Sequence, residues 1–562
     1  LNGRRIRDIA MTTTHEVTNQ SAPLADVNLF AGNLALQGAL RFNHPGYDRA
    51  RFEKLGGDAG SAEMQVHARL ANTHTPALRT HDRFGRRIDQ VEFHPSYHAL
   101  MRLALQHRLH GAPWSEAPGG HVERAAAFML FTELEPSVLC PVSMTYAVTP
   151  ALRDNAAIHA AWGPKLAATA YDERFVPFVH KRAVTLGMGM TEKQGGSDVR
   201  ANTTRAEPAG EDLWGRRYRI TGHKWFLSAP MSDAFLVLAQ APEGLSCFFV
   251  PRWLTDGAGE RVNAMAVQRL KDKLGNRANA SAEVEFDGAT GWLVGDEGRG
   301  VPQILAMGAI TRLDCALGTA GLMRHALCLA LHHTRQRQAF GRRVVEHAAM
   351  RNVLADLALE SEAATALALR VARAVDRTEH GQDPHGHEAI MRRVLTPVGK
   401  FWICKRGSHF AQEAMECLGG NGYVEEAGEG VMARIYREMP VNSIWEGAGN
   451  IIALDLLRAL RTGAAADALQ HEVAPARGAH PAFDRAADAL GPAIDTLADE
   501  AQARRLARQI ALVVQAALLH QHATDTVFAA FCASRLAGEA DVFGLLPHGH
   551  DLDAIVERVL PH

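Results

Sequence analysis

The spacing of apolar side chains changes twice along this chain of 562 residues, and that change limits the folds open to it. Between about residues 184 and 295 the period is two. Ala282, Val284 and Phe286 alternate with Glu283, Glu285 and Asp287 until Gly288 ends the run, as a strand with one wet face requires. Tyr218 and Ile220 alternate likewise, and residues 235–239 and 247–250 are short apolar runs stopped by Pro242 and Pro251. Strands without intervening helices predict a small antiparallel sheet or barrel.

On both sides the period is helical. In residues 1–183, Tyr97, Met101, Ala104 and Leu109 fall near one face of a helix opening after Pro95, with Ser96 as its expected N-cap. Pro136, Pro141 and Pro150 punctuate the segments downstream of it. In residues 296–462, Leu322, Ala326, Leu329 and His333 keep one helix face, and so do Leu354, Leu357, Ala364, Ala368 and Val371; long antiparallel helices predict a bundle. Residues 380–387, with two glycines and a proline, read as the loop between two of them. Residues 463–562 open on an alanine- and proline-rich linker and continue with an amphipathic helix through Leu506, Ile510, Val513 and Ala517. The expected units are therefore an N-terminal helical domain (1–183), a β-barrel (184–295), a C-terminal helical bundle (296–462) and an extra C-terminal helical domain (463–562). Length agrees, at roughly 100–200 residues per domain.

Charge is nearly balanced, with 60 basic and 62 acidic side chains, which excludes a strongly basic nucleic-acid binder. The balance is uneven, at +4 over residues 1–462 and −6 over 463–562. The positive excess lies where phosphate-bearing ligands would need it. Cys140, Cys247, Cys315, Cys328, Cys404, Cys417 and Cys532 form no Cys-x-x-Cys pair, so neither a zinc ribbon nor a disulfide framework is indicated. They read as reduced, buried thiols of a cytoplasmic protein. No apolar run reaches the roughly 18 residues of a membrane span; residues 510–519 are interrupted by Gln515 and flanked by Arg508 and His520. Residues 1–10 carry no apolar signal core and precede Met11, the expected start.

Five segments could carry chemistry. Residues 188–198 include Met188, Gly189, Met190, Thr191, Gly196 and Ser197, small and hydroxyl-bearing groups that let a backbone approach a flat or phosphorylated ligand; alone, Gly195-Gly196-Ser197-Asp198 is also an ordinary turn. Residues 222–228 place Trp225 and Phe226 beside Leu227 and Ser228, aromatics that can stack on a ring and a hydroxyl that can bond its edge; otherwise they are a core strand with a surface Lys224. Residues 442–450 set Glu446 between Ile444-Trp445 and Gly447-Ala448-Gly449-Asn450, where burial would raise its pKa towards that of a general base. Residues 335–342 combine Arg337 and Phe340 at a helix end, suited to a pyrophosphate and an adenine, or to the helix dipole. Residues 417–423 carry Gly419 and Gly420, either a helix-ending turn or a close backbone approach.

In this order, on this helix–strand–helix plan, the five segments resemble the flavin-dependent acyl-CoA dehydrogenases. Residues 273–277 and 294–300 strengthen the match, and residues 191–199, 202–205 and 440–447 resemble the AidB-like branch, associated with the adaptive response to alkylation. The resemblance covers residues 11–460 and implies the family's fold, FAD as cofactor and a homotetramer that shares FAD sites. It places the isoalloxazine ring against Met188 to Thr191, Gly196 and Ser197, and against Phe226, Leu227 and Ser228. It assigns Arg337 and Phe340 to a neighbouring subunit's FAD, received there by Gly419 and Gly420, and closes Ile444, Trp445, Gly447, Gly449 and Asn450 over the flavin. It makes Glu446 the catalytic base, with Arg312 in support; Thr311 stands where some branches carry the base. The implied reaction is α,β-dehydrogenation of an acyl-CoA of fatty-acid or branched-chain metabolism. Glu446 takes the α-proton, flavin N5 accepts the hydride, and an electron-transfer flavoprotein or oxygen reoxidises it.

The alternative is an AidB-type DNA-binding, alkylation-protective flavoprotein with little turnover. Lys193-Gln194 departs from the family's usual Pro-x and would reshape the acyl or CoA pocket. The part such proteins are held to use for DNA is the tail, but this tail has thirteen acidic residues against seven arginines and no lysine. Arg504, Arg505 and Arg508 make its one basic turn, and a helix face needs several phosphate contacts to bind at physiological salt. His385, His387, His548 and His550 read as solvated loop histidines, so no metal is expected.

Overall fold

A computed structural model describes residues 14–257, 259–461, 463–495, 499–538 and 541–560; the expected start at Met11 lies outside them. It has the N-terminal helical, central β and C-terminal helical architecture expected from the sequence.

The N-terminal helices include two almost wholly buried ones, Gly120–Leu134 and Leu139–Leu152, and end in Ala156–Leu166. Pro95–Gln106 forms as expected, but its N-cap is His94, whose ring accepts from Ser96 N at 3.2 Å; Ser96 lies buried inside the first turn, its hydroxyl against His67. The helix also ends before Leu109. Between helices lies a hairpin, Ala77–His81 with Arg87–Glu92, where helical spacing alone was expected. Its turn is fixed by Asp82 Oδ1, which accepts from Phe84 N and Arg86 N.

The central strands form a closed barrel. Ser281–Val294 pairs antiparallel with Gly215–Ser228, which pairs with Arg205–Asp212. A bridge from Arg205 to Gln240 joins Ala234–Ala241, and Gly244–Pro251 pairs with that strand and with Ser281–Val294, completing the ring. The alternating residues do what their period requires: Ala282, Val284 and Phe286 enter a core with Ile220, Phe235, Val237 and Phe248, while Glu285 and Asp287 face solvent.

The bundle is built on Gly300–Gln336, 37 residues and therefore about 55 Å long. Ala348–Glu379 and His387–Glu416 pack along it, and Val431–Asn442 and Gly449–Leu460 close it. Buried in its contact with the N-terminal domain, Arg124 makes a two-pronged bond to Asp314, which also accepts from Ser143 Oγ at 2.6 Å.

The expected linker at 463 is instead a helix, Ala464–Val473, because its alanines propagate a helix and Pro475 falls only after the last turn. Ala503–His522 carries the predicted apolar face. Two buried ion-pair sets fasten this extension to the bundle. Glu472 takes both prongs of Arg370 at 2.6 and 2.8 Å, and Arg535 bonds Asp356 and Glu360.

Burial opposes ionisation of Glu472, but the bonds from His387 and Arg370 outweigh it and hold the carboxyl well below its usual range. A depressed folded-state pKa contributes stability that is present above pH 4.5 and is lost as pH falls below it. Acid should therefore loosen residues 464–560 first, seen as hydrogen exchange gained there before the barrel. Glu472→Gln should mimic acid at neutral pH, at a cost of about 3–5 kcal/mol, since it leaves Arg370 buried with half its partners.

Candidate active site

Glu446 sits in a turn between two helices, in the left-handed region at φ +58°, with Gly447 next at +109°. The turn is prepared by Val431–Asn442, whose Val441 carbonyl accepts from both Ile444 N and Trp445 N, and by Trp445 Nε1, which donates to Asn442 Oδ1 at 3.0 Å. Left-handed backbone strains a glutamate, so the surroundings must hold it there. They do so from three sides. Thr311 Oγ1 donates to Glu446 Oε2 at 2.7 Å. Arg312 Nε donates to the Glu446 main-chain oxygen at 3.0 Å, and its Nη1 bonds Asp455 at 2.9 Å. Lys400 Nζ donates to the carbonyls of Trp445 at 2.9 Å and Gly447 at 2.5 Å. Arg312 thus bonds the loop backbone and acts on the carboxylate through its charge. Burial raises the Glu446 pKa above the usual carboxylate value, against the pull of Thr311, Arg312 and Lys400.

The barrel supplies the facing wall. Met188 and Gly189 end the strand Leu186–Gly189, and Thr191 begins the turn that displays Gly196 and Ser197 to solvent. That turn is pinned from below by Glu192, which accepts from Lys224 Nζ at 2.7 Å and from the amides of Thr203 and Thr204. Lys224 is completely buried, so it is not the surface residue the sequence allowed. Phe226 is 49% exposed, with Lys271 Nζ 4.8 Å above its ring and 3.2 Å above that of Trp225. Leu227 points into the barrel core, so only its main chain can meet a ligand. Ser228 Oγ lies 3.4 Å from Ser281 Oγ, which accepts from Lys273 Nζ at 3.2 Å; burial brings Lys273 down to about 8. Cys140 joins the two walls. Its thiol is within bonding reach of Ser228 and Asn279 and feels the charge of Glu446, and burial pushes it up to about 11. A polar cavity of about 420 Å³ opens beside this wall, faced by Lys271, Lys273 and Arg277.

Arg337 and Phe340 lie elsewhere. Thr311 and Gln336 share one helix and are about 38 Å apart along it, so within one chain they are separate sites. Phe340 and Gly341 form a two-residue hairpin loop, both at positive φ, and the Phe340 ring is 96% exposed. Gly419 and Gly420 are at the same end: Asn19 bonds Arg337 and Gln338, and the adjacent Gln20 accepts from Asn421. A side chain at Gly419 or Gly420 would meet nothing within 4 Å, so their backbone is open. Ile444 and Asn450 are exposed near Glu446, and Gly449 lies under Lys405 and Arg504.

Lys400, Cys140, Lys273 and Asp455 could not be picked out as site residues from the sequence. Two left a trace: Lys273 opens the 273–277 segment, and Lys400 is a lone lysine within the run 397–401, which an apolar helix face does not explain. Among the described residues, His121, Asp376 and His380 come close enough to hold a metal ion. Each already has partners, however: Tyr146 for His121, two main-chain amides for Asp376, and the Glu116 carbonyl for His380. His387 pairs with Glu472.

Three stretches of the chain match known domains. Residues 19–173 match the adaptive response protein AidB N-terminal domain, 187–289 the acyl-CoA dehydrogenase middle domain and 298–461 the acyl-CoA dehydrogenase C-terminal domain. The putative acyl-CoA dehydrogenase AidB of Escherichia coli (strain K12) is 46% identical over 523 residues, 92% of this chain and 94% of that protein. The chain belongs to the acyl-CoA dehydrogenase family. Acyl-CoA dehydrogenase family member 11 of Caenorhabditis elegans is 32% identical over 72% of this chain and 65% of its own length. The structure of C. elegans ACDH-11 in complex with C11-CoA superposes with a TM-score of 0.81 at 25% identity, covering 94% of this chain and 95% of that one. As an acyl-CoA dehydrogenase-type oxidoreductase, the chain falls in a family that is FAD-dependent.

Thr311 favours the charged form of Glu446, so removing its hydroxyl should raise the pKa further. Thr311→Val should move the base limb of the pH–rate profile to higher pH.

Proposed function

We propose that this chain is an FAD-dependent acyl-CoA dehydrogenase in which Glu446 takes the α-proton of an acyl-CoA thioester. The observation that carries the reading is the Glu446 turn, a carboxylate of raised pKa held against Thr311 and facing the barrel wall through Cys140. A general base needs both a fixed position and an affinity for the proton near neutral pH.

The residues present fit the cofactor. Phe226 leaves apolar surface uncovered on the strand that ends at Ser228, and Trp225 beside it is bonded to Thr191, so a ring face and hydroxyls lie together as a flat ring with a polar edge would require. Thr191, Gly196, Ser197, Phe226 and Ser228 would hold it. FAD bound there supplies a two-electron acceptor, which no side chain of the protein can replace. The chain's own part is to orient the thioester, exclude water from the Glu446 carboxylate and take the proton. The cations around the 420 Å³ cavity suit a phosphate-bearing ester.

A second copy of the chain completes this reading. Phe340 and Tyr423, 96% and 80% exposed at the far end of the bundle, suit contact with a neighbouring subunit and its FAD, and a homotetramer would provide it. An electron-transfer flavoprotein or oxygen would take the electrons. In the turn at 504–508, Arg504, Arg505 and Arg508 are all exposed, Arg504 over Phe401 and Arg508 over Trp402; three arginines on an acidic extension are few for a phosphate-driven DNA contact, so the dehydrogenase reading is preferred.

The purified protein should be yellow, with one FAD per subunit, and a reactive acyl-CoA should bleach it anaerobically. Glu446→Gln should keep the colour and lose the bleaching. A colourless protein that takes up no FAD, or unchanged bleaching in the variant, would overturn the reading. Phe340→Ala should leave thermal unfolding of the chain unchanged and lower FAD retention on dilution.

A further inference from the structure

Three successive carbonyls, those of Trp445, Glu446 and Gly447, all end on cationic side chains: Lys400, Arg312 and Lys400 again. Lys400 is 1% exposed, and among the described residues it makes no ion pair. A buried ammonium is costly to place and would ordinarily face a carboxylate. Here its donors go to the main chain, on the 445–446 and 447–448 peptides, either side of the 446–447 peptide that Arg312 holds.

In a trans peptide the N–H points opposite to the C=O. By binding the Trp445 carbonyl, Lys400 turns the Glu446 N–H away from itself, on the other side of the loop. No described residue accepts from that N–H. A cation on a carbonyl also draws electrons from the peptide, so its N–H becomes a stronger donor. We infer that Lys400 is a positioning residue: it aims and polarises the Glu446 amide, the main-chain donor that the dehydrogenase reading already gives the thioester oxygen. The inference rests on the dehydrogenase reading. Removing the α-proton puts negative charge on that oxygen, and a donor fixed beforehand binds the charged form more strongly than the neutral thioester. The same two bonds keep Glu446 in its left-handed backbone, so one side chain sets both the base and the donor.

The test uses the flavin-loaded enzyme and an acyl-CoA analogue with sulphur in place of the β-methylene. This ligand can lose its α-proton but cannot be dehydrogenated, so its acidity when bound reads the donor without turnover, by absorbance against pH. Lys400→Met, close in shape, should raise the bound α-proton pKa by about one unit or more, a tenfold weaker hold on the enolate, with analogue affinity at low pH changed less than about threefold. With a true substrate, kcat should fall at least about tenfold while KM changes little. Lys400→Arg should recover most of the acidity, and Lys400→Gln, a donor without charge, should fall between. Unchanged acidity in the folded, yellow Met or Gln variant would overturn the role of Lys400. Equal losses in the Arg and Met variants would assign Lys400 to packing alone, which also overturns it. If the wild-type enzyme never deprotonates the bound analogue, the dehydrogenase reading itself fails.

Discussion

A helix of 37 residues that is buried on nearly every side must find partners all around it, and the rest of this structure meets that demand. Gly300–Gln336 receives the N-terminal helices on one flank and the bundle helices on the other. Its buried polar groups are therefore at once costly and informative, since a buried polar group is normally met by a partner. Asp314 is answered by Arg124 and Ser143. Thr311 and Arg312, within one turn of it, are answered by the Glu446 loop. Because these partners come from different domains, fixing the helix also fixes how the domains meet. The candidate site is thus assembled from long-range contacts.

Charge burial has one pattern throughout. Glu192 with Lys224 pins the barrel turn, Glu472 with Arg370 pins the extension, and Lys400 with the carbonyls of Trp445 and Gly447 pins the Glu446 turn. Buried ion pairs seldom add much net stability, but they penalise every arrangement that leaves one partner alone. A chain whose function depends on loop geometry benefits from that penalty, because it makes a displaced loop expensive without requiring a tighter core.

Much of this was legible in the sequence. The barrel strands showed because their outward positions carry Glu and Asp, and the bundle because its helices are long enough for periodicity to accumulate. Glu446 stood out through its neighbours, as did Phe340 and the glycines of 419–420. The losses have physical causes. Strands of five and six residues at 77–92 are too short to establish a period, and their arginines and histidines hide the alternation. Ser96 gave way as a cap because His94, ahead of Pro95, supplied the acceptor first. Leu227 comes directly after the exposed Phe226, but the two-residue alternation turns its side chain to the opposite face. Lys400 could not be read at all as a partner of the 445–447 turn, since a lysine on a helix carries no sign of which distant carbonyls it will meet.

The positive φ angles of Glu446 and Phe340 have a consequence for anyone who would make this protein hardier. Left-handed backbone costs a residue other than glycine about 1–2 kcal/mol. By that measure glycine is the better residue at both positions. A search that rewarded heat resistance alone would be drawn to these two sites early, and each step would remove a side chain that the proposed chemistry or assembly needs. The tension between endurance and activity in this chain is concentrated in two torsion angles.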